Sequence, residues 1–339
     1  MLARKVVIYG KEDVRIVSEE IDPEKIGDNE ILFETEISFI SAGTELSRVF
    51  ALKKGATYPV YPGYCSVGRV LKTGRNVSNL KEGDRIVCSA PHASLSMFDP
   101  TKSDGGVVFK ISDETSSKEA VFMTMERIAL NAILPVDVKF NDKVIIMGLG
   151  TLGIITALYY QMMGCEVTAF ETFGNRARLA ERMGVRKVIS CPLDEQVRTY
   201  LSSIDTDGAD IAVDCSGYSG CILNAIEMTG KYGQVVLLGS PREEYDANVS
   251  VPFYTIHSKM LTVIGALNRR FNNAPVAGTR INMNRSMADL EKMMIDGRLH
   301  LSTLISHEIE PDEKQLLEAY RGLMYDRDNY TGVIIDWKK

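Results

Sequence analysis

The 339-residue chain balances 39 Lys and Arg against 45 Asp and Glu, a formal charge of −6, with 45% hydrophobic and 25% charged residues. An acidic balance without a polybasic arm excludes a nucleic acid or an anionic membrane surface as the main partner, and nowhere do the roughly eighteen apolar residues of a membrane span run together. The length suits two domains better than one core; the N-terminus lacks the apolar run of a signal peptide, so a cytoplasmic address is expected.

In chain order, the first 115 or so residues read as β-rich. Runs such as KVVIY, DVRIV, ILFETEISFI, CSVGRVL and DRIVCSA alternate or are β-branched, with Gly, Asn, Pro and Asp turn signals between them. After Phe109 the pattern shifts, and SSKEAVFMTMERIALNAIL has helical spacing with Ser116 or Ser117 to cap it. From Lys143 a strand KVIIMG, a helix TLGIITALYYQMMG closed by Gly164, a strand CEVTAFE and a helix NRARLAERMG follow in turn. KVIS, ADIAVDCSG, GCILNAIEMTG, GQVVLLGS and LTVIGAL continue the alternation. Strand and helix at this interval imply a doubly wound parallel sheet, the Rossmann architecture. The tail is mixed: SMADLEKMMIDGRL and EKQLLEAYRGLMY are amphipathic helices, and TGVIIDW is a closing strand. The expected division is a β-rich domain from residues 1–120 plus 268–339 and a doubly wound α/β domain over 121–267.

Gly148-Leu149-Gly150-Thr151-Leu152-Gly153 matches G-x-G-x-x-G, directly after a strand and opening a helix. In that context Gly148 permits the tight turn, Gly150 admits a pyrophosphate to the backbone, and Gly153 lets helix pack on strand. Thr151 and Leu152 then sit at a helix N-terminus whose N–H groups and dipole favour phosphate. Glu171 ends the second strand, where an acid bonds the adenosine ribose hydroxyls and repels a 2′-phosphate, which favours NAD over NADP. Arg176 lies close by in sequence and complicates that preference. Ser216-Gly217 and Gly239-Ser240 end parallel strands at the carboxyl edge of the sheet, where dinucleotides lie. Six cysteines, Cys65, Cys88, Cys165, Cys191, Cys215 and Cys221, have no C-x-x-C spacing and read as reduced, mostly buried thiols.

These features resemble the medium-chain dehydrogenase/reductase superfamily, that of zinc alcohol, sorbitol and threonine dehydrogenases. Ser41-Ala42-Gly43-Thr44-Glu45 resembles its Cys-Gly-Thr/Ser-Asp turn, Pro62-Gly63-Tyr64-Cys65 its Gly-His-Glu block, and Lys81-Glu82-Gly83-Asp84-Arg85-Ile86-Val87 its Gly-Asp-Arg-Val turn. Ser-Ala-Gly-Thr-Glu and Leu-Gly-Ser-Pro-Arg, followed by Ile-His-Ser-Lys, are similar to a subgroup related to bacteriochlorophyllide dehydrogenase. The resemblance implies a β-rich, GroES-like catalytic domain beside the Rossmann domain, with cofactor and substrate in the cleft between them. It also locates what is missing. The family's zinc-ligand positions hold Ala42, Tyr64 with Cys65, and Thr124, and the lobe of four cysteines for a structural zinc is gone; no metal is expected.

Hydride transfer without zinc needs hydrogen bonds or acids to polarise the substrate oxygen. The resemblance places Thr44 where a hydroxyl relays the substrate proton, although a turn-forming Thr is an equal reading. Tyr64, in place of a ligating His, points its phenol into that pocket or merely lines it. His92 carries an imidazole, the side chain suited to general acid–base work, and is the candidate proton carrier, against a packing role. Glu45 reads as structural, Glu126 as the next candidate carboxylate or half of an ion pair with Arg127, and His257, Lys259, Asn268, Arg269 and Arg270 as solvated groups with a possible hold on cofactor or substrate. The leading expectation is a zinc-independent, NAD-dependent oxidoreductase interconverting a secondary alcohol of a sugar, polyol or cyclitol and its ketone. The alternatives are a zinc-free enone or quinone reductase of NADPH type and a non-catalytic NAD-binding protein. A homodimer or homotetramer is expected from the resemblance.

Overall fold

A computed structural model of the protein describes residues 1–52, 55–102, 108–241, 244–268, 270–271 and 275–339. The chain divides into two compact units, Met1–Thr124 with Asn272–Lys339 and Met125–Phe271. The first begins with β1 (Leu2–Gly10) and β2 (Asp13–Glu20), an antiparallel pair in which Val6 faces Ile16. β3 (Ile31–Phe39) is followed by α1 (Ala42–Val49), which the sequence reading took for a turn. Two small residues and a Thr disguise that helix start; Glu45, in its first turn, accepts the N–H of Ser41 at 2.8 Å and closes the helix end from within. β4 (Ser66–Thr73), β5 (Arg85–Cys88), β6 (Leu95–Phe98), β7 (Val108–Ile111) and the short α2 (Ser117–Ala120) complete this part. Ser116 is the cap, its hydroxyl accepting from Glu119 N at 3.3 Å.

The single helix expected after Phe109 is broken: α3 (Met123–Leu130) is separate from α2. Val121, Phe122 and Met123 are all fully buried, and three consecutive apolar residues cannot face one core from one helix. The second unit then runs β8 (Lys143–Met147), α4 (Thr151–Met162), β9 (Glu166–Glu171), α5 (Gly174–Arg182), β10 (Val188–Ser190) and α6 (Leu193–Leu201). It continues with β11 (Ala209–Asp214), α7 (Ser219–Met228), β12 (Thr229–Leu237), α8 (Ser250–Lys259) and β13 (Thr262–Gly265). Its six strands are parallel in the order β10-β9-β8-β11-β12-β13. Chain order reverses between β8 and β11, so the switch point where such sheets bind ligands lies at the carboxyl ends of those two strands. Ile145, Met147, Phe170, Ala212, Val235 and Tyr200 form its core. α8 escaped the sequence reading because its apolar residues face outward: Val251, Phe253 and Tyr254 are each at least 60% exposed.

The chain returns to the first unit through α9 (Met283–Ile295), β14 (Ile305–Ile309), α10 (Glu313–Tyr325) and β15 (Gly332–Asp336). β15 pairs antiparallel with β3, Ile334 opposite Phe39, in a sheet ordered β14-β15-β3-β4-β5-β7 with β6 also on β3. α10 starts on Asp312, whose carboxylate accepts from the N–H groups of Lys314 and Gln315. It lays Leu316, Ala319, Tyr320 and Leu323 against Ile8, Ile40, Leu46, Val49 and Trp337. α1 is thereby held between the opening β ribbon and α10, and the cluster described next is fixed from behind by this core.

Candidate active site

In the first unit the start of α1 meets the Gly63-Tyr64-Cys65 segment through hydroxyls. The Tyr64 phenol and the Ser41 hydroxyl share a short hydrogen bond, and Thr44 Oγ1 lies 3.4 Å from the same phenol. Thr44 is exposed and Tyr64 half-buried, so the group has an open side. Desolvation by burial pushes the Tyr64 phenol well above its ordinary value, with the Cys65 thiol and Glu45 adding to the shift against the Ser41 and Thr44 hydrogen bonds. The phenol is therefore a proton donor throughout the neutral range. Cys65 is fully buried, and desolvation holds its thiol well up, with Glu45 adding to it.

Behind the hydroxyls lies a closed polar network. Glu45, 2% exposed, accepts from Ser41 N with one oxygen and with the other from His92 Nε2 at 3.0 Å and Tyr320 Oη at 2.7 Å. His92 Nδ1 is 2.8 Å from Ser38 Oγ, which also accepts from Trp337 Nε1 at 2.9 Å. A carboxylate only accepts, so Nε2 donates and Nδ1 takes the Ser38 proton. His92 is 0% exposed with both ring nitrogens engaged. This corrects the reading of His92 as proton carrier: its side chain has no exposure to solvent, and both ring nitrogens are taken by buried groups. Thr44 and Tyr64 are brought together; His92 stands one layer behind them. Ser41, a buried hydroxyl that the sequence reading passed over, completes the group.

In the second unit the glycine loop joins β8 to α4. A Cβ added to Gly153 would lie 1.9 Å from the carbonyl oxygen of Gly148, so only glycine allows this helix to pack on the strand. A Cβ at Gly150 would meet nothing but the tip of Arg176 at 3.9 Å, which leaves open space over the N-cap of α4, where no side chain caps the helix. Thr151 and Leu152 are its first two residues. Glu171, at the end of β9, is 5% exposed; it accepts from Leu149 N at 2.8 Å, Thr172 N at 2.7 Å and Phe173 N at 3.1 Å. Held in this way, it braces the glycine loop. Arg176 stacks its guanidinium 5.5 Å over the Phe173 ring.

Across the switch point, Asp214 at the end of β11 accepts from Ser216 N and Oγ and from Gly217 N, and its own carbonyl accepts from Gly239 N at 2.8 Å. Ser216, Gly217 and Gly239 are thus tied together, with Ser240 next in the chain, by an Asp that the sequence reading missed, although an acid two residues before Ser-Gly is an Asx-turn signal. The remaining candidates lie elsewhere. Glu126 accepts from Tyr159 Oη at 3.0 Å, while Arg127 donates to the carbonyls of Asn268 and Phe271, which replaces the expected ion pair of the two. Lys259 donates to the carbonyls of Glu227 and Thr229, Arg270 to that of Gly265, and His257 is exposed; Arg269 lies outside the described residues. Among the described residues no three His, Cys, Asp or Glu side chains gather as a metal site would require.

A glycine-looped, doubly wound sheet with an acid at the second strand end defines a dinucleotide-binding unit. Residues 151–281 match the family model described as zinc-binding dehydrogenase. Over 303 residues the chain is 23% identical to L-idonate 5-dehydrogenase of Vitis vinifera, covering 80% of this chain and 76% of the relative. The galactitol-1-phosphate dehydrogenase structure from Escherichia coli superimposes with a TM-score of 0.81 at 19% identity, over 98% of this chain and 100% of that one. A zinc-binding dehydrogenase of Sinorhizobium meliloti 1021, solved bound to NADP, does so at 0.74 and 17% identity, over 99% and 100%. Residues 151–281 thus match the zinc-binding dehydrogenase family, and over most of its length the chain is similar to zinc-type alcohol, sorbitol and threonine dehydrogenases, which marks it as an alcohol dehydrogenase-like oxidoreductase.

Proposed function

We propose that the protein is a zinc-independent, NAD-dependent oxidoreductase of the cytoplasm that interconverts a secondary alcohol and a ketone on a small polar substrate of sugar, polyol or cyclitol type. The observation that carries the reading is the Tyr64–Ser41–Thr44 hydroxyl group, in which Tyr64 takes a position that the resemblance assigns to a metal ligand. The donor set does not fit zinc: Ala42 has no ligating atom, Thr124 offers only a hydroxyl, and the Tyr64 phenol is engaged by two hydroxyls, which leaves the Cys65 thiol as the one good ligand at these positions. The L-idonate, xylulose and sorbitol enzymes among the relatives support the polar substrate class.

In this reading the α/β unit holds the dinucleotide, whose nicotinamide supplies or accepts the hydride. Open space over Gly150, an N-cap without a side chain and the nearby Arg176 suit a pyrophosphate. Glu171 suits the ribose; a carboxylate has about four acceptor sites and three backbone donors already use it, so the hydroxyls share it with the loop it braces. Tyr64 donates to the substrate oxygen, Ser41 fixes the phenol's direction, and Thr44 carries the proton toward solvent. Replacing the Glu171 charge by Glu171→Gln, which keeps size and one acceptor, is expected to shift the NAD-to-NADP preference toward NADP by roughly 5- to 100-fold. Isothermal titration of both cofactors measures this, and a wild-type preference for NADP overturns the ribose assignment. Purified protein is expected to hold no stoichiometric zinc and to keep its activity in chelators; elemental analysis that finds one zinc per chain refutes the metal-free reading.

A second copy of the chain is the proposed partner. β13 is the edge of its sheet, and Val263, Phe253, Tyr254 and Leu267 beside it are 43–71% exposed. Exposed apolar area at a sheet edge favours self-association. Light scattering is expected to give a dimer or tetramer, and a monomer at all concentrations removes this part of the proposal.

A further inference from the structure

The turn that presents Tyr64 is moulded on His92. Gly63 has a φ of +98°, in the left-handed region, and a Cβ on it would stand 2.6 Å from His92 N and 2.8 Å from His92 Cγ and Nδ1. No side chain is tolerated there, so the backbone before Tyr64 lies flush against the imidazole. One residue further back, Pro62 O accepts from His92 N at 2.8 Å. On the other side of Tyr64, Cys65 O accepts from Phe39 N at 2.9 Å. The phenol therefore rides on a short span whose two ends are fixed by β3 and by His92.

The same histidine fixes the hydroxyl opposite. Its Nε2 donates to one Glu45 oxygen at 3.0 Å, and the other Glu45 oxygen accepts from Ser41 N at 2.8 Å. Ser41 Oγ then meets the Tyr64 phenol. The contacts close into a ring that runs from His92 through Glu45, Ser41, Tyr64, Gly63 and Pro62 back to His92. His92 is itself anchored, because its carbonyl accepts from Val6 N at 2.9 Å and its Nδ1 takes the Ser38 proton at 2.8 Å. One fully buried side chain thus sets the spacing of the two segments that carry the paired hydroxyls.

From this ring of contacts we infer that His92 is a positioning residue: it holds the Tyr64 phenol on Ser41, aimed at the substrate oxygen, and carries no proton itself. The inference rests on the role proposed above for the Tyr64 phenol. Orientation matters at a reacting centre, where a misplacement of about 1 Å costs about 10²-fold in rate.

Two substitutions separate positioning from other roles. His92→Gln keeps a donor within reach of Glu45, whereas His92→Asn keeps the contact with Ser38 and falls short of Glu45. In the reduction of D-xylulose by NADH, His92→Asn is expected to lose roughly 10- to 100-fold in kcat, with KM and NADH affinity little changed. His92→Gln recovers most of that loss, and since an amide cannot shuttle a proton, the rescue excludes a proton carrier. In a Tyr64→Phe background the His92→Asn loss vanishes, because the histidine acts through the phenol. Equal losses in both backgrounds overturn the inference, as does wild-type kcat in His92→Asn. A readout that needs no substrate is the NMR signal of tyrosine labelled with carbon-13 at Cζ. The Tyr64 resonance, identified by its absence in Tyr64→Phe, shifts in His92→Asn and returns in His92→Gln; an unmoved resonance also overturns the inference. If wild-type protein reduces no D-xylulose, or Tyr64→Phe turns over like wild type, the role of the phenol has failed, and the resonance still decides whether His92 places it.

Discussion

Tyr64→Phe is expected to lower kcat by about 10²–10³-fold, the cost of removing one oriented donor to a developing oxyanion, with NADH affinity unchanged. The change deletes one oxygen and keeps the ring, so packing is preserved. The phenol is bonded by Ser41 and Thr44 and has no carboxylate or imidazole of the cluster as a direct partner. Ser41→Ala is expected to cost less, about 10-fold, because Tyr64 remains but loses the group that aims it. Stopped-flow reduction of a ketone by NADH separates these effects from cofactor binding. Wild-type turnover in Tyr64→Phe would remove the phenol from the chemistry.

The direction of the Tyr64 shift gives a pH signature. Burial raises the phenol above its ordinary value, so the donating form persists past the pH at which a free tyrosine begins to ionise. Ketone reduction is therefore expected to show no loss of kcat between pH 6 and about 9.5 from this group. Alcohol oxidation has to place a proton on an unfavourable phenolate and is expected to climb with pH over the same span, without a plateau. A fall in ketone reduction centred near pH 7 would point to an imidazole instead, and so back to His92.

How much of this was written in the chain differs between the units. The α/β unit was legible because its signals are local: a short apolar strand, Gly148-x-Gly150-x-x-Gly153 and a helix form one contiguous run, and each glycine has a steric reason within a few residues. The active-site cluster was legible only in part. Thr44 and Tyr64 are neighbours through a fold that sequence spacing cannot convey, and Ser41 looked like turn material because nothing local marks it as a partner of a phenol 23 residues on. His92 was misread for a related reason: a histidine in a loop-like segment carries no sign of burial, and its partners Ser38 and Glu45 lie 54 and 47 residues away in the chain, with Trp337 bonded to Ser38 behind them. α8 was missed because periodicity reports a helix only when one face is turned inward.

The other large effect expected is on stability, at Glu45. Its two oxygens receive three buried or nearly buried donors: the Ser41 N–H, His92 Nε2 and the Tyr320 hydroxyl, whose phenol is pushed well up by burial and by this carboxylate and so stays a donor. Glu45→Ala strands all three, and leaves a gap beneath α1 where the core of Leu46, Val49 and Tyr320 closes on it. An unsatisfied buried polar group costs about 1–3 kcal/mol; three donors are stranded, but they share one site, so the losses overlap and about 3–5 kcal/mol in total is expected. That is a large part of the roughly 5–15 kcal/mol that holds an ordinary domain together. Glu45→Gln is the informative companion. Its single carbonyl oxygen still accepts, the histidine can exchange tautomers and the tyrosine can rotate its hydroxyl to take the new N–H, so about 1 kcal/mol is expected. Denaturant titration of the three proteins measures both values. If Ala and Gln prove equally mild, the network contributes nothing to stability, and the burial of His92 would need another cause.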